Sequence, residues 1–124
     1  MTTFDDARLG RINDVLKAIA HDIRLRLMRT LLENGEKSVG ELEMLTGVGQ
    51  PGLSQQLAIL RKAGMVRTRR EAKLVFYSLS PETLRDTAKL LCELAGISPQ
   101  ERPQAASDTQ ARARESAATF ARIL

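Results

Sequence analysis

The stretch Gly49-Gln50-Pro51-Gly52-Leu53-Ser54-Gln55-Gln56-Leu57-Ala58-Ile59-Leu60-Arg61-Lys62-Ala63-Gly64-Met65-Val66-Arg67-Thr68-Arg69-Arg70-Glu71-Ala72-Lys73-Leu74-Val75-Phe76-Tyr77-Ser78-Leu79 decides the fold. Its first half spaces Leu53, Leu57 and Leu60 along one helical face. Pro51, Ser54, Gln55, Ala58 and Lys62 lie opposite, with Arg61 at the margin. Gly64 stops this helix. The second half alternates, Val66 and Thr68 pointing one way, Arg67 and Arg69 the other, before the strand formers Leu74 to Tyr77. The connecting Arg70-Glu71-Ala72-Lys73 lacks the Asn-Gly signal of a two-residue turn, so a longer loop is expected there. A helix with a short polar outer face can enter a groove of duplex DNA, and a basic hairpin beside it can grip phosphate. Gln55 has the donor and acceptor that an adenine edge requires, Ser54 suits base or phosphate, and Gln50 sits at a helix start, where phosphate is favoured. An ordinary exposed glutamine is an equally good reading of Gln55.

Charge is focused on the same segment. The 124-residue chain carries +4, and the interval Arg61 to Lys73 holds six basic residues (Arg61, Lys62, Arg67, Arg69, Arg70, Lys73) against Glu71, a local +5. The remainder therefore sums to −1, as expected of an electrostatic footprint for a polyanion.

Upstream, Leu9, Ile12, Leu16, Ile19 and Ala20 recur at helical spacing. Asp22 is placed to cap a second helix with Ile23, Leu27, Met28, Leu31 and Leu32 on its stripe, ended by Asn34-Gly35. Ser38-Val39-Gly40-Glu41 has capping-box spacing and opens a short third helix with Leu42 and Leu45 inward. Third and fourth helices joined by a Gly-bearing turn make a helix-turn-helix. Downstream, Ser80-Pro81 starts a fifth helix that ends at Gly96. Its stripe (Leu84, Ala88, Leu90, Leu91, Leu94, Ala95) is not needed to build the reading head. It is therefore expected to pair with the first helix in a homodimer, through Leu9, Ile12, Leu16, Leu84, Ala88, Leu91, Leu94 and Ala95; packing within its own chain is the alternative.

The expected fold class is mainly α with a β-hairpin wing: a winged helix-turn-helix of about five helices. Residues 1–97 form the DNA-binding and dimerisation domain. Residues 98–124 form a tail in which Ala113, Ala117, Phe120 and Leu124 share a helical face, either a sixth helix or a disordered segment. With aromatics at 3% and no Trp, the core must be aliphatic. The acidic N-terminus and the absence of a long apolar run predict a cytoplasmic protein with no membrane partner. No catalytic constellation or phosphate loop is visible, so an enzyme is not expected. The single cysteine, Cys92, excludes an intramolecular disulfide and a thiolate metal cluster within one chain.

The runs Leu16-Lys17-Ala18-Ile19-Ala20-His21-Asp22-Ile23-Arg24-Leu25-Arg26-Leu27-Met28, Ser38 to Leu42, Leu53 to Val66 and Arg69 to Tyr77 resemble the ArsR/SmtB family of winged-helix repressors, over about residues 9–96. The resemblance implies a homodimer paired through the first and fifth helices, bound to an inverted repeat and released by an inducer. The family's base-contacting positions fall on Gln50, Pro51, Ser54 and Gln55, and its wing arginines on the DNA backbone. Gln56 stands where the family usually has histidine, and Pro51 where serine is frequent.

The family's sensors are missing. Lys37 to Leu42 holds no cysteine. The fifth helix offers Glu82, Asp86 and Glu93 but no histidine, and the sulfide-responsive cysteine pair is replaced by Arg29 and Gly96. His21 reads as structural. No metal or other cofactor is expected, and the inducer is not legible. Cys92 is a candidate redox residue, with an inert thiol the favoured reading. The alternatives to a repressor are a winged-helix protein-interaction module and a thiol-responsive repressor switched through Cys92.

Overall fold

The computed structural model describes residues 3–97. The expected tail helix with Ala113, Ala117, Phe120 and Leu124 lies outside them. The elements follow in the order α1 (Asp6–Ile19), α2 (Asp22–Asn34), β1 (Lys37–Ser38), α3 (Val39–Thr46), α4 (Gly52–Lys62), β2 (Val66–Glu71) and β3 (Leu74–Leu79). A 3₁₀ turn at Pro81–Leu84 then leads into α5 (Arg85–Leu94). This is a helix-turn-helix followed by an antiparallel hairpin. The chain divides inside α5 into two units, the first ending at Ala88 and the second opening at Lys89.

Helix ends follow local chemistry. The Asp5 carboxylate accepts from the backbone N–H of Arg8 and starts α1. Ser38 and Glu41 form the reciprocal capping box expected from their spacing. The Ser38 backbone N–H, then its hydroxyl, hold the Glu41 carboxyl below the usual carboxylate range. At α2 the cap is His21 rather than Asp22: the imidazole Nδ1 accepts from the Ile23 N–H at 3.2 Å. Asp22 is the first helical residue and pairs with Arg26 one turn on, 3.2 Å away. Either residue type can cap, but the chain turns at Ala20 and reaches its extended conformation at His21.

The core joins Val15 of α1, Leu27 and Leu31 of α2, Leu42 of α3, Leu53, Leu57 and Leu60 of α4, and Met65 and Val66 at the entry to β2. Each such aliphatic side chain contributes about 1.5–3 kcal/mol on leaving water. Two inward expectations fail. Leu32 is 74% exposed and Leu45 is exposed as well. Leu27 and Leu31 already fill the inner face of α2, and in α3 the core-facing places are taken by the buried Leu42 and the half-buried Val39.

The interface expectation also needs correction. Ile12 is 2% exposed, buried in its own chain with Val15 and Ala18. Leu84 packs against the same chain's core. Both were read as intersubunit because helical spacing cannot say which neighbour a stripe meets. Leu9 is exposed and Leu16 half-buried, on a face of α1 about 40–120° round from Ile12 and Val15. In α5, Ala88 is half-buried while Leu91 and Leu94 are exposed, as is Ala95 just beyond its end.

The sheet has three strands in the order β1-β3-β2, all antiparallel. Strand β1 was not foreseen. Two residues carry no periodic signal, yet Lys37 and Ser38 register against Tyr77 and Phe76. The wing turn is tighter than expected. Glu71 pairs with Leu74, so only Ala72 and Lys73 connect the strands, and Ala72 takes a positive φ of 56° in place of the usual Gly or Asn.

Candidate nucleic-acid interface

Helix α4 presents a polar face because its apolar residues are consumed by the core. Leu53, Leu57 and Leu60 are buried, whereas Pro51, Ser54, Gln55, Ala58, Arg61 and Lys62 are exposed. Its start is capped from outside. Pro51 has no side chain able to accept, and the Gln50 carboxamide oxygen takes the backbone N–H of Ser54 at 3.1 Å and its hydroxyl at 2.7 Å. Two residues expected to face DNA are thus bound to each other. Gln50 keeps its amide N–H groups for outward contact. Among the described residues, Gln55 has no side-chain hydrogen-bond partner, so its donor and acceptor are both available.

The far end of α4 closes on Gly64. The Gly64 N–H donates to the Arg61 carbonyl at 3.0 Å and the Met65 N–H to that of Leu60 at 2.9 Å, a Schellman closure with Gly64 at φ 78°. Leu60 and Met65, brought together by this turn, are both fully buried. The Thr83 hydroxyl donates to the Gly64 carbonyl at 2.7 Å. The turn from reading helix to wing is therefore fixed from both sides.

The six cations of the basic segment fall into two groups. Arg67 donates to both oxygens of Glu82 at 2.7 Å and to the Ser80 hydroxyl at 3.3 Å. This contact, then the backbone N–H of Glu82 and the Ser80 hydroxyl, hold the Glu82 carboxyl down at about 2. Ser80, expected to cap the fifth helix, makes no cap bond and instead donates to Glu82 at 2.9 Å.

Arg69 is engaged on every side. Its Nη2 meets Glu36 at 2.7 Å, its Nε reaches the same carboxylate, its Nη1 meets Glu71 at 2.8 Å, and its guanidinium lies 4.9 Å from the centre of the Phe76 ring. Hydrogen bonds from Arg69 lower the Glu36 pKa, and the same contacts raise that of Arg69. Arg69 straps the sheet, running from β2 across Phe76 of β3 to the turn before β1. Arg67 and Arg69, expected to meet phosphate, are paired within the DNA-free chain. Strand alternation turns both toward carboxylates contributed by distant segments. Among the described residues, Arg61, Lys62, Arg70 and Lys73 make no ion pair.

Sequence reading missed the roles of Glu36 and Glu82 and the pair Arg24–Gln56, in which the Arg24 guanidinium donates to the side-chain amide oxygen of Gln56 at 2.9 Å. No local signal marks partners 15 to 33 residues apart. Cys92 is a free, half-buried thiol on α5. Among the described residues no group of three side chains could hold a metal ion, and no helix is long and apolar enough to cross a membrane.

Comparison with known proteins agrees with this geometry. The model of the bacterial regulatory protein arsR family matches residues 21–68. A biofilm growth-associated repressor of Xylella fastidiosa is 51% identical over 75 residues, 60% of this chain and 65% of the relative. The transcriptional activator HlyU of Vibrio cholerae is 46% identical over 80 residues, 64% of this chain and 73% of its own. The crystal structure of the transcriptional repressor BigR from Xylella fastidiosa superposes with a TM-score of 0.61 at 44% identity, covering 76% of this chain and 96% of that one. The match spans a little under two thirds of the curated biofilm repressor's length. By fold, by residues and by these relatives, the chain belongs to the arsR family of bacterial regulatory proteins.

Proposed function

We propose that the chain is a transcriptional repressor that binds a double-stranded inverted-repeat operator as a homodimer. The observation that carries this reading is the exposed polar face of α4, with Gln55 unpartnered, set beside a wing whose tip bears the unpaired cations Arg70 and Lys73. Gln55 reads a base edge. Arg61, Lys62, Arg70 and Lys73 supply affinity through phosphate, and Gln50 and Ser54 order the helix start. For the homodimer, α1 offers the exposed Leu9 and half-buried Leu16 to a second copy, and the end of α5 separately offers the exposed Leu91 and Leu94, followed by Ala95. Repression follows from occupying promoter DNA, by binding and without catalysis. Genomic DNA as target places the protein in the cytoplasm.

Selection from a random duplex pool, followed by fluorescence anisotropy at fixed salt, tests this. The expected result is a pseudo-palindrome with half-sites about one helical turn apart, bound by two chains at least about a thousandfold tighter than a scrambled duplex. Binding without sequence preference, or one chain per site, would overturn it. Because HlyU is named an activator, a reporter assay on the selected operator decides the sign of regulation.

A further inference from the structure

Arg24 sits on the first turn of α2, and its guanidinium reaches two other helices. An α-helix leaves its last four carbonyls without helical partners. In α1 the Leu16 carbonyl takes the Ala20 N–H at 2.9 Å and that of Ile19 takes the His21 N–H at 2.8 Å. The other two are met by Arg24, whose Nε donates to the Ala18 carbonyl at 2.5 Å and whose Nη2 lies 3.5 Å from that of Lys17. A cation is favoured at this negative end of the helix dipole. The remaining arm, Nη1, donates to Oε1 of Gln56 on α4 at 2.9 Å.

Gln56 lies at the edge of the α4 stripe, about 60° from Leu53 and next in sequence to Gln55. The contacts of Leu53, Leu57 and Leu60 are non-directional; they hold α4 in place but resist its rolling weakly. A charge-assisted hydrogen bond is directional. We propose that Arg24 is a positioning residue for sequence reading. Through Gln56 it sets the roll of α4, hence the angle at which Gln55 meets a base edge, and it ties that angle to the end of α1. The proposal rests on the DNA-reading function above.

The test uses the full chain and its selected operator, with a scrambled duplex at the same salt. The readout is the ratio of the two affinities, which cancels any uniform change of charge. Gln56→Met removes the acceptor and leaves Arg24 on α1; Arg24→Lys keeps the charge and loses the fork. Each is expected to lower the ratio about five- to thirtyfold, and the double variant no further than either single one. Gln56→Glu, which keeps an acceptor, should restore the ratio to within about threefold of the parent. Thermal unfolding of each variant reports a general folding defect. An unchanged ratio in Gln56→Met, losses that multiply in the double variant, or equal loss on both duplexes would overturn the proposal while the parent's preference stands. A parent without preference would sink the DNA-reading function itself, and this proposal with it.

Discussion

The side-chain oxygen of Gln50 accepts two hydrogen bonds from Ser54, one from the backbone N–H at 3.1 Å and one from the hydroxyl at 2.7 Å. Gln50 therefore performs the capping that Pro51 cannot. Gln50→Ala should cost about 0.5–1 kcal/mol of stability in urea unfolding. Because the Ser54 proton is already committed, Ser54→Ala should weaken operator binding less than about threefold. Gln55→Ala should weaken it about tenfold or more and relax preference at one base pair. Equal losses in anisotropy titrations would mean that Ser54 leaves Gln50 for the DNA.

Division of the basic segment into paired and unpaired cations has a salt signature. Arg70→Ala and Lys73→Ala should each lower affinity for every duplex and reduce the slope of log affinity against log salt by about 0.9. Arg69→Ala should leave that slope nearly unchanged and instead speed amide exchange in β1 and β3, which its strap joins. A slope change matching that of Arg70→Ala would show that Arg69 exchanges Glu36 for phosphate.

Gly64 has φ 78°, and a Cβ built there would stand 3.2 Å from the Thr83 hydroxyl oxygen. Gly64→Ala should destabilise the chain by about 1–2 kcal/mol, chiefly through the left-handed backbone. Thr83→Ala in the same chain relieves the contact but not the dihedral. Calorimetry should therefore find most of the loss persisting in the double variant.

Ala72 bears a positive φ of 56° without being glycine. Ala72→Gly should stabilise the wing by about 0.5–1 kcal/mol, visible as a raised Tm and slower amide exchange in β2 and β3. A fall in Tm would mean that the flexibility gained by the unfolded chain outweighs the relief.

Acid should loosen the link between wing and 3₁₀ turn. Glu82 is held at about 2 by Arg67, its own backbone N–H and the Ser80 hydroxyl. A carboxyl whose folded pKa is depressed contributes its full stabilisation above the unfolded value, about 4.3, and loses it as pH falls through about 2. Between pH 4.5 and 2 the parent should therefore lose more stability than Glu82→Gln. Because the carboxyl is exposed, the difference is expected to be small. Parallel unfolding curves across that range would show that the pair adds nothing to folding.

Much of this fold is local and could be read as sequence. Gly64 ends α4 because the Schellman closure needs a left-handed residue at that position. Ser38 and Glu41 cap α3 because their spacing brings each side chain to the other's backbone. Leu53, Leu57 and Leu60 share a face because the helix repeats every 3.6 residues. These features depend on residues within a few positions of one another, so the sequence by itself determined them, along with the polar face of α4 that leaves Gln55 outward. Tertiary structure alone decided which cations stay unpaired, which apolar residues stay exposed, and what orients the reading helix. Arg69 is 33 residues from Glu36, Arg67 is 15 from Glu82 and Arg24 is 32 from Gln56. Ion pairs and charge-assisted hydrogen bonds form within a few ångströms in space, and periodicity carries no information about which distant carboxylate or amide the folded backbone will place there. The same reason moved Ile12 and Leu84 into their own chain's core: a stripe states that a face is apolar, and only packing states what it meets.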